Sequence, residues 1–167
     1  MKIIDGILAE FEQEAKTTRR VLEAVPEEHL GWQPHEKSMT LGRLAGHTAE
    51  IPFWAGPTFG QDVLDFGESD FESYTASGRD ELLARHEAAN DVFRQAADGY
   101  PDEKLFATWK MCQGEQVFFE APRIAVVRSF LLKHQVHHRG QLSVYLRLLD
   151  VPVPSIYGPS ADDNPWG

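Results

Sequence analysis

Leu131-Leu132-Lys133-His134-Gln135-Val136-His137-His138-Arg139-Gly140-Gln141 lies in a stretch bounded by Pro122 and Pro152, and its reading decides the fold. Proline suits the first turn of a helix, where its missing N–H would be unpaired anyway, and cannot continue one. The two prolines therefore bracket a helix over 122–149. Val127, Phe130, Leu131, Val144, Tyr145 and Leu148 make its apolar stripe, and His134, His137 and His138 interrupt that stripe where core side chains would stand. At about 100° per residue, His134 and His138 share a face one turn apart, and so do His134 and His137, so spacing leaves both pairs open. Neutral imidazole ligates zinc, nickel and similar divalent metals, and an i,i+4 pair supplies two such ligands. One histidine on a stripe reads as a hydrogen-bonded core residue; three in five positions read as a metal site.

Working outward, residues 3–25 carry Ile4, Leu8, Phe11, Ala15, Thr18, Leu22 and Val25 at helical spacing, and Pro26 ends the pattern. The stretch from Glu27 to Lys37, with Gly31, Trp32 and Pro34, holds too many breakers for a helix. A second helix over 39–55 is capped by Ser38 or Thr40 and bears Leu41, Leu44, His47, Ile51 and Trp54, with Pro52 kinking or ending it. Gly56–Gly78 reads as a long connection, of the kind that tends to be functional. A third helix over 78–98 starts near Ser77, with Asp80 as a weak capping partner. It carries Leu82, His86, Ala89, Phe93 and Ala96 and ends at Gly99 and Pro101. Residues 102–121 are irregular, with a short strand pair around Gln113-Gly114. Four amphipathic segments predict an all-α four-helix bundle, one domain over 1–167, with one long connection and an irregular tail from Val151. The rival is an α+β domain in which Trp109–Phe119 belongs to a larger sheet.

Composition narrows the function classes. Of 167 residues, 42% are hydrophobic and 25% charged, which leaves a core to bury. Sixteen Lys and Arg against 26 Asp and Glu give a net charge of −10, which repels phosphate backbones and anionic lipids. Neither nucleic acid nor a membrane is an expected partner. Cys112 is the one cysteine, so no intramolecular disulfide forms, and it is read as an ordinary thiol in a loop. No apolar run approaches the ~20 residues of a spanning helix. Met1–Gly6 meets Asp5 with no basic-then-apolar order, unlike a signal peptide, so a cytoplasmic location is expected.

A helical histidine pair needs a third ligand from another element. His47, mid-helix between Leu44 and Ile51, is the obvious candidate; His86, also on an apolar stripe, stays open, and His29 and His35 read as surface residues. Glu50, three positions after His47, is either an acceptor behind the imidazole, a general base, or a solvated glutamate. Tyr145 follows the histidine stripe, where core packing accounts for it.

Three segments resemble the DinB-like (DinB/YfiT-like) metal-dependent enzymes. Leu30-Gly31-Trp32-Gln33-Pro34-His35-Glu36-Lys37-Ser38-Met39-Thr40-Leu41-Gly42 leads into the helix bearing His47; His134-Gln135-Val136-His137-His138-Arg139-Gly140-Gln141-Leu142 is similar to the hallmark HxxxHRGQ segment; and Val151–Asp162 is similar to the endings of many members. The resemblance implies a four-helix bundle with a divalent metal held by His47, His134 and His138, the last being the histidine of the HRGQ run. Arg139 then becomes a candidate cation for a substrate anion, or a partner for one of the carboxylates. Gly140 becomes a place for a neighbouring helix to approach closely. Family members include thiol-dependent transferases, so the expected activity is metal-dependent transfer of a low-molecular-weight thiol to a small-molecule electrophile. Metal-activated hydrolysis and a non-enzymatic, stress-related metal-binding role are the alternatives. The resemblance, with Phe53, Trp54, Phe59 and Phe66 near the long connection, also suggests a homodimer.

Overall fold

A computed structural model describes residues 2–67 and 72–166. Helix α1 (Ile3–Glu23) buries Ile4, Ile7, Phe11, Ala15, Thr18, Val21 and Leu22 on one face. Its first turn is closed from a distance, because the Asp102 carboxylate accepts from the Ile3 and Ile4 amides at 2.8 and 3.1 Å. Helix α2 (Leu41–Glu50) starts at Thr40, whose hydroxyl accepts from the Arg43 amide at 3.2 Å. Pro52 ends α2 by removing a donor, and the chain tightens into a 3₁₀ turn over Ile51–Trp54 before α3 (Ala55–Gly60). Helix α4 (Arg79–Ala97) begins at Gly78 rather than Ser77. Its first amide, on Arg79, donates to the Glu27 carboxylate at 2.6 Å, while the Ser77 hydroxyl turns to Glu81.

The last long helix is continuous but not uniform. It opens as α5 (Arg123–Val126), widens into π-helical geometry over Val127–Lys133, and returns to α-helix as α6 (His134–Leu148). π turns are rare and concentrate at functional sites. This one immediately precedes the histidines.

The all-α expectation is corrected by a three-stranded mixed sheet. β1 (Val63–Asp65) pairs in parallel with β2 (Thr108–Gln113), and β2 pairs antiparallel with β3 (Gln116–Pro122), giving the order β1-β2-β3. The Gln113-Gly114 signal marks a real hairpin. Gln113 faces Gln116 across a two-residue loop in which Gly114 has φ +56°, the left-handed conformation that glycine tolerates. Cys112 is therefore a buried strand residue rather than a loop thiol. β1 and α3 occupy part of the expected long connection; its residues 68–71 lie outside the described residues.

Two core clusters fill the bundle and a third lies under the sheet. At one end Phe11 stacks on Phe93 with ring centroids 3.7 Å apart, among Ile7, Phe59, Leu105 and Leu131. At the other, Leu22, Leu41, Leu44, Leu82, Leu142 and Leu146 pack together. Under the sheet, Leu64, Trp109 and Val126 meet Trp54, Phe66 and Phe130. Phe59 is thus core, and Trp54 and Phe66 pack within the chain, although the sequence offered them as dimer contacts. Arg123, almost fully buried, ties sheet to bundle by donating to the carbonyls of Thr58, Gln61 and Lys104 at 2.7–3.0 Å and to Asp62 at 2.5 Å.

Residues 72–78 form a strap across α2. The Ala76 amide donates to the Gly42 carbonyl at 3.1 Å. A Cβ at Gly46 would stand 2.9 Å from the Tyr74 carbonyl oxygen, and one at Gly42 would stand 3.0 Å from the Ala76 carbonyl oxygen. The close approach that the sequence assigns to Gly140 belongs to these two glycines instead. Nothing lies within 4 Å of a Cβ built at Gly140, which is exposed. Among the described residues, no helix is long and apolar enough to cross a membrane.

Candidate metal centre

α2 and α6 pack face to face and bring three imidazoles to one point. His47 Nε2 lies 3.4 Å from His134 Nε2, and His138 Nε2 lies 2.9 Å from His134 Nε2. Among the described residues, His47, His134 and His138 form a group whose nitrogens all lie within 4.8 Å of one another. α6 supplies the i,i+4 pair because one helical turn stacks those side chains; His137, exposed, only touches the His138 ring with its own at 4.9 Å.

The opposite nitrogen of each ring is occupied. His47 Nδ1 faces the Glu50 carboxylate at 3.4 Å, His134 Nδ1 faces the Phe130 carbonyl at 3.3 Å, and His138 Nδ1 faces Gln141 Oε1 at 2.7 Å. A carboxylate and a backbone carbonyl only accept, so the facing Nδ1 atoms carry hydrogen and the Nε2 atoms carry lone pairs. Lone pairs aimed at one another across 2.9–3.4 Å repel unless a cation lies between them, so the donor set fits a divalent metal. The backing acceptors orient the rings in the manner usual for metal-ligating histidines. Burial, followed by the adjacent His47, lowers the His134 pKa. Burial, with smaller contributions from His47, His134 and His137, pushes His138 down to about 4. Both rings are thereby kept in the neutral form that ligation requires.

The surroundings are aromatic on one side. Phe130 lies 5.5 Å from the His134 ring and 5.5 Å from Trp54, which in turn lies 5.7 Å from Phe66. The wall thus draws on the π segment, the 3₁₀ turn after α2 and the turn after β1. Further along α6, Tyr145 meets Trp32 edge-on at 5.6 Å and donates its hydroxyl to the Met39 carbonyl.

The remaining candidates separate clearly. Glu50 is 3% exposed and stands directly behind His47. Arg139 is 1% exposed and pairs with Glu14 at 2.7 Å, with further bonds to Thr18 and the Tyr157 hydroxyl at 3.2 and 2.6 Å. These partners lie on α1 and the tail, so of its two readings the structure places it with the carboxylate partner. His86 is fully buried and bonds the Ala15 carbonyl at 3.2 Å, outside the histidine group. Sequence reasoning missed Arg43 and Arg85, whose guanidiniums both reach Glu50 at 3.3 Å. Arg43, two helical turns before Glu50, left a readable signal; Arg85, from another helix, left none.

Comparison with known proteins agrees with this architecture. The chain is 28% identical over 164 residues to the uncharacterized Bacillus subtilis protein YrdA, covering 96% of this chain and 91% of that one. A crystal structure of a DinB-like protein from Bacillus cereus superposes with a TM-score of 0.72 at 24% identity, over 93% of this chain and 98% of the other. The DinB-like protein YjoA from Bacillus subtilis superposes at 0.67 with 16% identity, over 95% and 98%. Residues 2–165 match the sequence profile of the DinB family, and the chain belongs to that family.

Proposed function

We propose that this protein binds one divalent metal ion through the Nε2 atoms of His47, His134 and His138, and uses it to transfer a low-molecular-weight thiol to a small electrophile. The observation that carries the metal reading is the convergence of three Nε2 lone pairs whose Nδ1 partners all face acceptors. The thiol-transfer reading draws on the resemblance to thiol-using members of the family. Three protein ligands are the pattern of a catalytic rather than a closed structural site. Once bound, such an ion lowers the pKa of a thiol or a water and makes it nucleophilic near neutral pH.

The chain's own residues do the rest. Glu50, the Phe130 carbonyl and Gln141 hold the three rings in one tautomer and direction. Phe130, Trp54 and Phe66 give an apolar side against which an electrophile can lie with reduced access of water.

Metal analysis of the purified protein followed by a thiol screen tests the proposal. Protein loaded with zinc or nickel is incubated with bacillithiol, mycothiol, glutathione or coenzyme A and a generic electrophile. Conjugation that needs both metal and thiol, and that disappears in His134→Ala, is the expected result. Metal-dependent cleavage of esters or amides without conjugation would replace thiol transfer by hydrolysis. Inactivity in both assays would leave a metal-binding protein without turnover.

A further inference from the structure

The three histidines are not held equally firmly. His134 leans on a backbone carbonyl that its helix fixes, whereas His138 and His47 each lean on a side chain three positions on, Gln141 and Glu50. Glu50 has three rotatable bonds and would swing freely without restraint. The restraint comes from two arginines. Arg43 Nη1 lies 3.3 Å from Glu50 Oε1, the oxygen that faces His47, and it also donates to the Tyr74 carbonyl at 3.0 Å. Arg85 Nη2 takes the other oxygen, Oε2, at 3.3 Å.

Arg85 is itself fixed by its surroundings. Its guanidinium lies over the Tyr74 ring at 4.2 Å and 5.3 Å from the centre of the Phe53 ring. Stacking of this kind suits a planar guanidinium better than a flexible ammonium. A carboxylate as buried as Glu50 is costly unless paired, and α4 supplies a cation to Oε2 beside the one that α2 places on Oε1.

We propose that Arg85 is a positioning residue of the metal centre: by holding Glu50 Oε2 it keeps Oε1 turned to His47 Nδ1 and so fixes the tautomer and direction of the one ligand that α2 contributes. The proposal rests on the metal reading of the histidine group. It extends that group to α4 and to the strap at Tyr74.

Arg85→Met removes the charge and keeps the bulk, while Arg85→Lys returns a cation without the planar stack. Two readouts separate positioning from general stability. Long-range ¹H–¹⁵N correlation of the metal-free protein reports which nitrogen of His47 carries hydrogen, and competition with a chelating dye gives zinc affinity. In wild type, His47 is expected as the Nδ1–H tautomer. In Arg85→Met that signal gives way to a tautomer mixture, and zinc affinity falls roughly 10-fold, the lower end of what loss of an outer partner does. Arg85→Lys should recover most of both. An Arg85→Met protein with the wild-type tautomer and wild-type zinc affinity overturns the proposal. If wild type binds no zinc, the metal reading fails, and the tautomer comparison still decides whether Arg85 positions His47. Should Arg85→Met fail to fold by circular dichroism, Arg85→Gln decides on the same two readouts.

Discussion

Gly46 and Gly140 are both interior to helices, and alanine at the two positions should act in opposite directions. Replacing glycine by alanine inside a helix gains about 0.8–1.0 kcal/mol of propensity. At Gly140 nothing lies within 4 Å of the new Cβ, so the gain should be nearly complete. At Gly46 the Cβ would stand 2.9 Å from both the Tyr74 carbonyl oxygen and its ring Cδ1, and 3.2 Å from the Ala76 amide nitrogen. Two of those atoms are backbone and cannot rotate away. Overpacking of a tight site costs typically about 1–3 kcal/mol, so after the propensity gain the net loss at Gly46 reaches up to about 2 kcal/mol. For a chain of this size each kcal/mol moves the melting temperature by roughly 2–4 °C. Thermal and urea unfolding of metal-free protein is the suitable assay, because bound ligand would add its own stabilisation. Gly140→Ala should melt about 2–4 °C higher than wild type and Gly46→Ala lower, by up to several degrees. Stabilisation by both substitutions would refute the placement of the strap against α2.

Other outcomes follow from the site and from distant contacts. His138→Ala should abolish stoichiometric zinc binding, whereas His137→Ala should retain it, as measured by metal content after dialysis; the reverse would mean that the ring pairing is wrong. Burial lowers the His86 pKa below 6.5, so between that value and the folded one the unfolded chain binds more protons. Stability from this site is therefore present above pH 6.5 and lost as pH falls through that window. Urea titrations at several pH values should show a smaller loss in His86→Gln. The Ile3 and Ile4 amides hold the Asp102 carboxyl below its ordinary pKa, so its contribution is present above about pH 4 and lost in acid. Asp102→Asn should lower the melting temperature at pH 7 and have a smaller effect at pH 3; an equal loss at both would deny the role of its charge.

What could be read from the sequence was mostly local. α1 and α4 follow from apolar stripes of 3.6 period closed by Pro26 and by Gly99 with Pro101, and the end of α2 follows from Pro52. The hairpin showed itself through Gly114. The sheet did not, because β1 is only three residues long and pairs with a strand whose partner positions begin at Lys110. Parallel pairing across that separation leaves no local pattern. Within the site, His134 and His138 were legible as a turn-spaced pair and His47 as a polar residue on an apolar stripe. Glu50 was readable as its neighbour. Arg85 reaches Glu50 only through the packing of α4 on α2, which no spacing rule encodes. Arg139, adjacent to His138 in sequence, is directed to α1 and the tail because successive helical residues diverge by about 100°.

The π segment also separates two demands on one helix. Upstream of it, Arg123 must face the Thr58 carbonyl of α3 and the Gln61 carbonyl just after it; downstream, His134 and His138 must face α2. A regular helix would tie those directions together, since each residue adds a fixed rotation of about 100°. The wide turn over Val127–Lys133 lets one end be re-aimed without disturbing the other. Such a turn holds one residue more than the α-helix that would join the same two ends. Removing the exposed Ser129 should therefore let the backbone close into ordinary α geometry with Arg123 and the histidine pair keeping their directions, whereas a deletion in the regular turns of α6 would rotate everything beyond it by about 100°. Chain length is thus editable at this one turn and fixed in the helix after it.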